Sequence, residues 1–444
     1  MLQDTIVAQA TPPGKSGVAI VRVSGPKVQE IAQAILKCTL VPRHASYLPF
    51  FDEEDESIDQ GIAIFFPNPN SFTGEDVLEF QGHGGPIVVD LLLQRILQLG
   101  ARLAKPGEFS ERAFLNGKID LTQAEAIADL IDASSKSAAK SAMRSLQGAF
   151  SNKIHALNDQ VIYLRTYIEA AIDFSDEEID FLGLDKITQH LHSLLLQLST
   201  IQSQAKQGHI LKEGFSVAII GPPNAGKSSL FNLLSGKDAA IVTDIPGTTR
   251  DVLRDHILFD GIPIHMIDTA GLRESTDQIE QEGIRRAYLE MDQADVILYV
   301  VDGSKQNEFN FNQHLISKPI IYIQNKIDLI NEKAGSFLKD EKHIISLSVK
   351  TGEGIDLLKS SLKNQIGLQE NPEGVFLARR RHLHALEKAK IHLENALNQL
   401  TSMKALECAA EDLREVSHAF ADLTGTITAD DLLGQIFSSF CIGK

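Results

Sequence analysis

The stretch Gly221-Pro222-Pro223-Asn224-Ala225-Gly226-Lys227-Ser228 constrains the fold of this chain more than any other. Ahead of it, Ser216 to Ile220 is an apolar-rich run of strand length, and after it Ser228 to Leu234 begins a helical pattern. A strand, a glycine-rich loop and Gly-Lys-Ser opening a helix make up a P-loop. Its glycines let the backbone wrap a phosphate chain, so that N–H groups and the helix N-terminus point at the anion. Lys227 adds a positive charge toward the β- and γ-phosphates, and the Ser228 hydroxyl is a ligand for Mg²⁺. The same pattern also occurs in ordinary turns, so its weight comes from the elements downstream of it in the chain.

At 444 residues there is room for about three domains. Hydrophobic residues make up 43% and charged residues 23%, ordinary proportions for a soluble globular protein. No apolar run reaches the length that spans a bilayer, and the opening MLQDTIVAQATPPG has neither a basic flank nor an apolar core of the signal-peptide kind. A cytoplasmic location without a membrane partner is therefore expected. Cys38, Cys408 and Cys441 are too few and too scattered for a disulfide framework or a zinc knuckle. A net charge of −17 excludes generic attraction to nucleic acid, so such a partner would need a local basic face or a second protein.

Residues 1–118 carry strand-like runs at Gly17–Val23, Gly61–Phe66 and Val77–Phe80, with helical patterns at about 26–37 and 86–99, which predicts a small mixed α/β domain. Gly82-His83-Gly84-Gly85 stands between a strand and a helix and reads either as a glycine-rich turn or as a receptor for an anion. Over 119–213 the apolar spacing becomes i, i+3, i+4, as at Ala124–Leu130, Val161–Ala171 and Leu191–Leu198, and predicts a helical bundle. Within it the acidic Phe174–Phe181 reads as a solvated loop. Alternating strands and helices return over 214–370, and helical texture resumes over 371–444, opened by a basic cluster at Arg379–Arg381 that reads as a phosphate contact or a solvated helix start. The predicted fold is thus α/β plus all-α: an N-terminal mixed domain, a helical domain, and a P-loop domain inserted into the latter.

Four elements come after the P-loop in a fixed order. Thr248 and Thr249 of Gly247-Thr248-Thr249-Arg250 offer hydroxyls to complete a Mg²⁺ shell. Asp268-Thr269-Ala270-Gly271 ends an apolar run; Asp268 can hold Mg²⁺ through water, and the Gly271 N–H can meet a γ-phosphate. Asn325-Lys326-Ile327-Asp328 ends another, and the Asp328 carboxylate can accept from guanine N1–H and the exocyclic amine, a pair that adenine lacks. Ser346-Leu347-Ser348-Val349-Lys350 ends the last strand, in position to close over the guanine. Each sits at the C-terminal end of a predicted strand, where open α/β sheets bind ligands. Together they specify a GTP site and resemble the Ras-like GTPases. One position departs from that group: Leu272 stands where a glutamine orients the attacking water, so catalysis must draw on a cation, a carboxylate or a partner.

With the opening Asp4–Gly14, the inserted G domain and the ending Phe440-Cys441-Ile442-Gly443-Lys444, the chain resembles the MnmE (TrmE) family of tRNA-modification GTPases along its whole length. The resemblance implies a folate-binding, dimerising N-terminal domain, a homodimer, and a partnership with the flavoprotein MnmG, which brings FAD and NADH. It implies action on the wobble uridine of certain tRNAs, with a 5-formyltetrahydrofolate-type folate. Carried over, GTP contacts fall on Asn224, Ala225, Gly226, Lys227, Ser228 and Ser229, on Thr243, Asp244, Ile245, Thr248 and Thr249, on Asp268–Gly271, on Asn325, Lys326 and Asp328, and on Ser348–Lys350. Mg²⁺ falls to Ser228 and Thr249, and potassium to Asn224, Thr243, Ile245 and Thr248. Glu280 matches the catalytic glutamate beside Lys227. Arg22, Glu79, Lys118 and Lys444 match the folate site, and Cys441 matches the cysteine of the C-terminal motif. Without the family, Glu280 reads as a surface carboxylate and Arg22 as a salt-bridge partner.

Two other readings stand beside this one. A GTPase acting as an assembly factor, of the ribosome-maturation type, would modify no base, although direct binders of ribosomal RNA usually carry a basic face. Alternatively the N-terminal domain is a folate enzyme in its own right, with the G domain as its control.

Overall fold

Period-two alternation in the first hundred residues builds one mixed sheet. The structure is a computed structural model that describes residues 4–173, 181–235, 256–259, 262–267, 294–305, 318–339, 342–367, 375–403, 405–425, 436–437, 440 and 443. Strands β1 (Ile6–Gln9), β2 (Ser16–Ser24), β3 (Ser46–Phe51), β4 (Ser57–Phe66), β5 (Val77–Gly84) and β6 (Arg102–Leu103) lie in the order β3-β4-β5-β2-β1-β6. All pairs are antiparallel except β1 with β6. Helices α1 (Val28–Leu36) and α2 (Pro86–Gln98) share a core with Val21, Val23, Leu78 and Phe80 on one face. Because strand side chains alternate, Arg22 and Glu79 take the opposite face. There α3 (Glu108–Leu115) lays Phe109 against Ile6 and Ala8.

Beside α3 the sequence hides a charge network. The Arg112 side chain is fully buried, yet it donates to the Asp4 carbonyl at 2.9 Å and the Asp4 carboxylate at 2.8 Å, to Glu75 at 3.1 Å and to Glu108 at 3.0 Å. Burial alone would raise the Glu108 carboxyl; hydrogen bonds from Arg102, the Lys105 N–H and Arg112 outweigh it and hold it below the usual range. A buried cation is tolerated because carboxylates pair with it in this way. The network fastens the N-terminus, the loop before β5 and α3 together.

The helical texture yields α4 (Leu121–Ile131), α5 (Lys136–Leu146), α6 (Ser151–Asp173) and α7 (Phe181–Glu213). Then the period changes again. β7 (Phe215–Ile220) leads through the P-loop into α8 (Lys227–Ser235), succeeded by β8 (His256–Phe259), β9 (Ile262–Ile267), β10 (Val296–Asp302), β11 (Ile320–Asn325), β12 (Gly335–Lys339), β13 (Lys342–Ser346) and α9 (Ile355–Gln365). Their sheet runs β12-β13-β11-β10-β7-β9-β8, parallel except at the two edge pairs. The central strands are nearly continuous apolar runs because both of their faces are covered. Val217, Ile219, Val300 and Ile323 enter one core, while Ala218, Ile297 and Tyr322 enter another. This is the expected Ras-like order, with β7 flanked by β9 and β10.

The chain closes with α10 (Arg380–Asn398) and α11 (Leu406–Thr424), the latter packed along α6. Among the described residues helix resumes at Arg380. Val375–Ala378 form an irregular buried stretch, of which Val375 and Leu377 complete the core beneath the large sheet. Chain contacts divide the molecule into two compact units, one of residues 1–128, 145–192 and 388–444, the other of 129–144 and 193–387.

Inside the second unit, nearly buried Asp129 grips both crossings of the inserted domain. It accepts from Lys212, in the last turn of α7 before β7, at 3.2 Å, and from Arg379, on the returning strand of chain, at 2.8 Å. Arg379 is thus engaged in an internal ion pair and not left as a solvated helix start. Asp129→Ala should cost about 2 kcal/mol, since it removes a nearly buried acceptor that two charged donors share. Thermal unfolding of the variant should then fall by roughly 4–8 °C; an unchanged midpoint would show the clamp to be idle.

Candidate functional site

The P-loop is held by what its glycines allow. A Cβ on Gly221, at φ +139°, would collide with the Val300 carbonyl of β10, and one on Gly226, at φ +99°, with Asn325 Nδ2 at the end of β11. Glycine alone fits both conformations without strain and lets the loop lie against the two neighbouring strands. Asn224 also sits in the left-handed region, at φ +63°, which asparagine tolerates better than most residues. The Leu230 N–H donates to the Gly226 carbonyl at 2.9 Å, so the helix starts at Lys227 and its first N–H groups face the loop. Lys227 Nζ crosses the loop, donating to the Gly221 carbonyl at 2.8 Å and the Pro222 carbonyl at 2.9 Å, and burial lowers its pKa. Ser228 and Ser229 are exposed on the first turn.

The residues that the sequence assigns to base recognition converge from two loops. Asn325 ends β11 and donates to the Ala225 carbonyl at 2.9 Å, while its Oδ1 accepts the Lys326 N–H at 2.8 Å and the Val349 N–H at 3.1 Å. Fully buried Ser348 donates its hydroxyl to Asp328 at 2.7 Å, which fixes that carboxylate in place. Lys350 lies exposed beside them. The structure therefore brings Asn224–Ser229, Asn325–Asp328 and Ser348–Lys350 to one end of the sheet, beyond the C-terminal ends of β7, β11 and β13. Thr243, Asp244, Ile245, Thr248, Thr249, Asp268, Thr269, Ala270, Gly271 and Glu280 lie outside the described residues.

The donor chemistry at this end suits the expected cations. Ser228 is an exposed hydroxyl next to Lys227, a hard oxygen of the kind Mg²⁺ takes, and Asn224 is exposed at the crest of the loop. Among the described residues no group of three or more histidines, cysteines and carboxylates is arranged to hold a metal. Nor is any described helix long and apolar enough to cross a membrane.

A second cluster lies in the N-terminal domain. Arg22 and Glu79 are register partners across β2 and β5, joined by a hydrogen bond of 2.9 Å. The Arg22 guanidinium also lies 5.6 Å from the Phe72 ring centre and 5.7 Å from that of Phe109. Lys118 donates to the Pro69 carbonyl at 2.8 Å, and Asn116 to the Thr73 carbonyl at 2.7 Å. Two of the four residues matched to a folate site, Arg22 and Lys118, thus border the loop 67–76 and a third, Glu79, pairs with Arg22, while Glu75 of that loop is held by Arg112 and Ser24. Gly82-His83-Gly84 continues β5 and is not a free turn; Asp59 takes the His83 N–H and faces its Nδ1, both at 2.7 Å. The fourth folate residue, Lys444, and Cys441 lie outside the described residues. Their neighbour Gly443 packs against Gln9 at the end of β1, and Phe437 and Phe440 share a cluster with Leu121, Ala124 and Phe114.

Sequence reading missed Asp302 and the Arg112 network. Asp302 ends an apolar strand as one acid among many, and no spacing rule marks it out.

Residues 5–118 match the family described as GTP-binding protein TrmE N-terminus, and residues 121–441 match the MnmE helical domain. The tRNA modification GTPase MnmE of Histophilus somni (strain 129Pt) is 59% identical over 455 residues, covering 100% of both chains. That of Pasteurella multocida (strain Pm70) is 58% identical over 452 residues, again covering 100% of both. Among solved structures, Aquifex aeolicus Era bound to GDP.AlF4- is similar at 25% identity over 40% of this chain and 66% of that one, with a TM-score of 0.26.

Asp328→Asn reverses half of the base contact: an amide N–H faces the guanine amine, but can donate to the carbonyl that xanthine carries there. The KM for GTP should rise by roughly 10²-fold or more while XTP becomes a substrate. Unchanged preference for GTP would remove Asp328 from base recognition.

Proposed function

The chain belongs to the MnmE family of tRNA modification GTPases, and from that premise we propose that it works with an MnmG-type flavoprotein on the wobble uridine of certain tRNAs. It is a GTP hydrolase; the proposal concerns what that hydrolysis serves. In this reading GTP turnover drives a conformational cycle that installs an aminomethyl-type group at C5 of the base. The observation that supports it is the full-length match to relatives named tRNA modification GTPase MnmE, which takes in the P-loop, the Arg22–Glu79 pair and the C-terminal tail alike. The chain acts as a cytoplasmic homodimer. Its parts are an N-terminal folate and dimerisation domain at 1–118, helical halves at 119–213 and 371–444, and the G domain at 214–370.

Within the site, Lys227 and the N–H groups that open α8 bind the β- and γ-phosphates, and Asp328, steadied by Ser348, selects guanine. Ser228 and Thr249 would hold Mg²⁺, and Asn224, Thr243, Ile245 and Thr248 would hold K⁺; these cations supply positive charge where the β–γ bridge becomes negative. Glu280 accepts the hydrogen bond of the attacking water, the task that Leu272 cannot perform. General-base help of this kind is worth on the order of 10²–10⁴ in rate. Glu280→Gln should therefore lower kcat on that scale with GTP affinity nearly unchanged, and the unaltered chain should run faster in potassium than in equimolar sodium chloride. Equal rates in the two salts would remove the potassium assignment, and normal turnover by the variant would return Glu280 to the surface.

In the N-terminal domain, Arg22 and Lys118 offer cationic donors, and Glu79 an acceptor, around the loop that carries Phe72. A flat heterocycle with a carboxylated tail suits such a set, consistent with a 5-formyltetrahydrofolate-type cofactor, with Lys444 and Cys441 brought in by the tail. Nucleoside mass spectrometry of tRNA from a deletion strain tests the whole reading. The wobble-uridine modification should vanish and return with the intact gene, but not with a chain lacking residues 441–444, whose GTPase activity should survive. Intact tRNA accompanied by stalled ribosomal particles would favour an assembly factor instead.

A further inference from the structure

Lys326 adopts a left-handed backbone conformation, φ +68°, that lysine rarely takes without support. Its N–H is held by Asn325 Oδ1, and its ammonium makes two contacts of 2.7 Å, one to the Asn224 carbonyl at the crest of the P-loop and one to Asp302 Oδ2. Asp302 is only 6% exposed and closes β10, in direct register with Asn325 across the parallel pair β10–β11. The other carboxylate oxygen accepts the Ser304 N–H at 3.0 Å and hydroxyl at 2.6 Å. Gly303, between them, donates its N–H to the Asn325 carbonyl at 2.7 Å. Three strand ends, those of β7, β10 and β11, thus meet at one ammonium group.

We propose that Asp302 is a positioning residue for nucleotide binding: its carboxylate holds Lys326 over Asn224, tying the guanine-recognition loop to the phosphate loop. The inference rests on the GTP reading of the same site and adds to it a residue that touches no nucleotide. Charge accounts for the direction. A long ammonium side chain left without its carboxylate is drawn to solvent by hydration and rotamer entropy, and a backbone carbonyl by itself holds it weakly. Burial alone would raise the Asp302 carboxyl, but Lys326 and the two Ser304 donors outweigh it and bring it to about 2. The anchor is therefore ionised throughout the neutral range. Freed of it, Lys326 no longer fixes the spacing between the pocket for the base and the pocket for the phosphates, and nucleotide of either phosphorylation state escapes faster.

The test uses the full-length chain with a fluorescent GDP analogue (mant-GDP) and steady-state GTP hydrolysis. Asp302→Asn keeps the shape and removes the charge. The analogue should dissociate about tenfold faster, the scale of one hydrogen bond to a charged group, and KM for GTP should rise in step while kcat moves by no more than about twofold. In a Lys326→Ala background the same change should add less than about twofold, because the partner has already gone. Fully multiplicative losses in the double variant, or a fall in kcat at constant KM, would overturn the proposal. Ser304→Ala leaves the ion pair intact and decides the point even should D302N fail to fold: release within about twofold of the unaltered chain supports the proposal, whereas a tenfold loss would assign Asp302 to capping its own turn. Binding of mant-GDP by the unaltered chain tests the site itself, so failure of the site and failure of the link read out separately.

Discussion

The second unit depends on the close packing of a glycine-bearing loop against two parallel strands. Gly221 lies on the Val300 carbonyl and Gly226 on Asn325, and the Asn325 amide then reaches the Ala225 carbonyl. These contacts place the start of α8 and its unsatisfied N–H groups at the point where the sheet order diverges, between β9 and β10. Without them the loop would be a turn like any other. With them the backbone itself becomes the anion receptor, and side chains are left to select the base.

The first unit solves a different problem. Its small sheet packs α1 and α2 on one face and α3 on the other, where charged strand residues are satisfied by one another. Arg22 and Glu79 do so as direct cross-strand partners. They do not stand alone, because Phe72 and Phe109 shield the guanidinium and a buried Arg112 anchors the loop from which Phe72 extends. An ion pair half removed from water and bordered by aromatic rings is a costly arrangement for a purely structural purpose. It is economical where an anionic, flat ligand shares the pair.

Family membership and geometry bear on different levels of the function. The relatives establish a tRNA modification GTPase. In the proposed reading guanine and phosphates are held through Asp328, steadied by Ser348, and through Lys227 and the head of α8. There the chemistry on the uridine belongs to Cys441 and a partner, folate binding draws in Lys444, and the hydrolytic step belongs to Glu280. In the tail, the packing of Phe437, Phe440 and Gly443 against the N-terminal half of the chain accounts for why so short a motif would be kept in place at all.

Much of this was legible in the chain itself. Local periodicity determined the strands at 17–23, 61–66 and 77–80, the P-loop strand, and the turn to helices after 119, because alternation and i, i+4 spacing are properties of neighbours in sequence. The loops at Asn224–Ser229, Asn325–Asp328 and Ser348–Lys350 were legible for the same reason: each comes directly after its own strand. Arg22 was readable as a salt-bridge partner, though not that its partner would be Glu79, fifty-seven residues away. What local patterns do not encode is which distant residues meet. The Arg112 network, the grip of Asp129 on Lys212 and Arg379, and the Asp302–Lys326–Asn224 link each join segments far apart in sequence, and a lone acid on a strand or helix carries no mark of its future partner. Nor did the helical texture after 371 foretell that Val375–Ala378 would remain irregular, because an apolar run of four is equally at home in a helix or beneath a sheet. Tertiary packing decided that, since only the folded core offers Val375 and Leu377 a place to be buried.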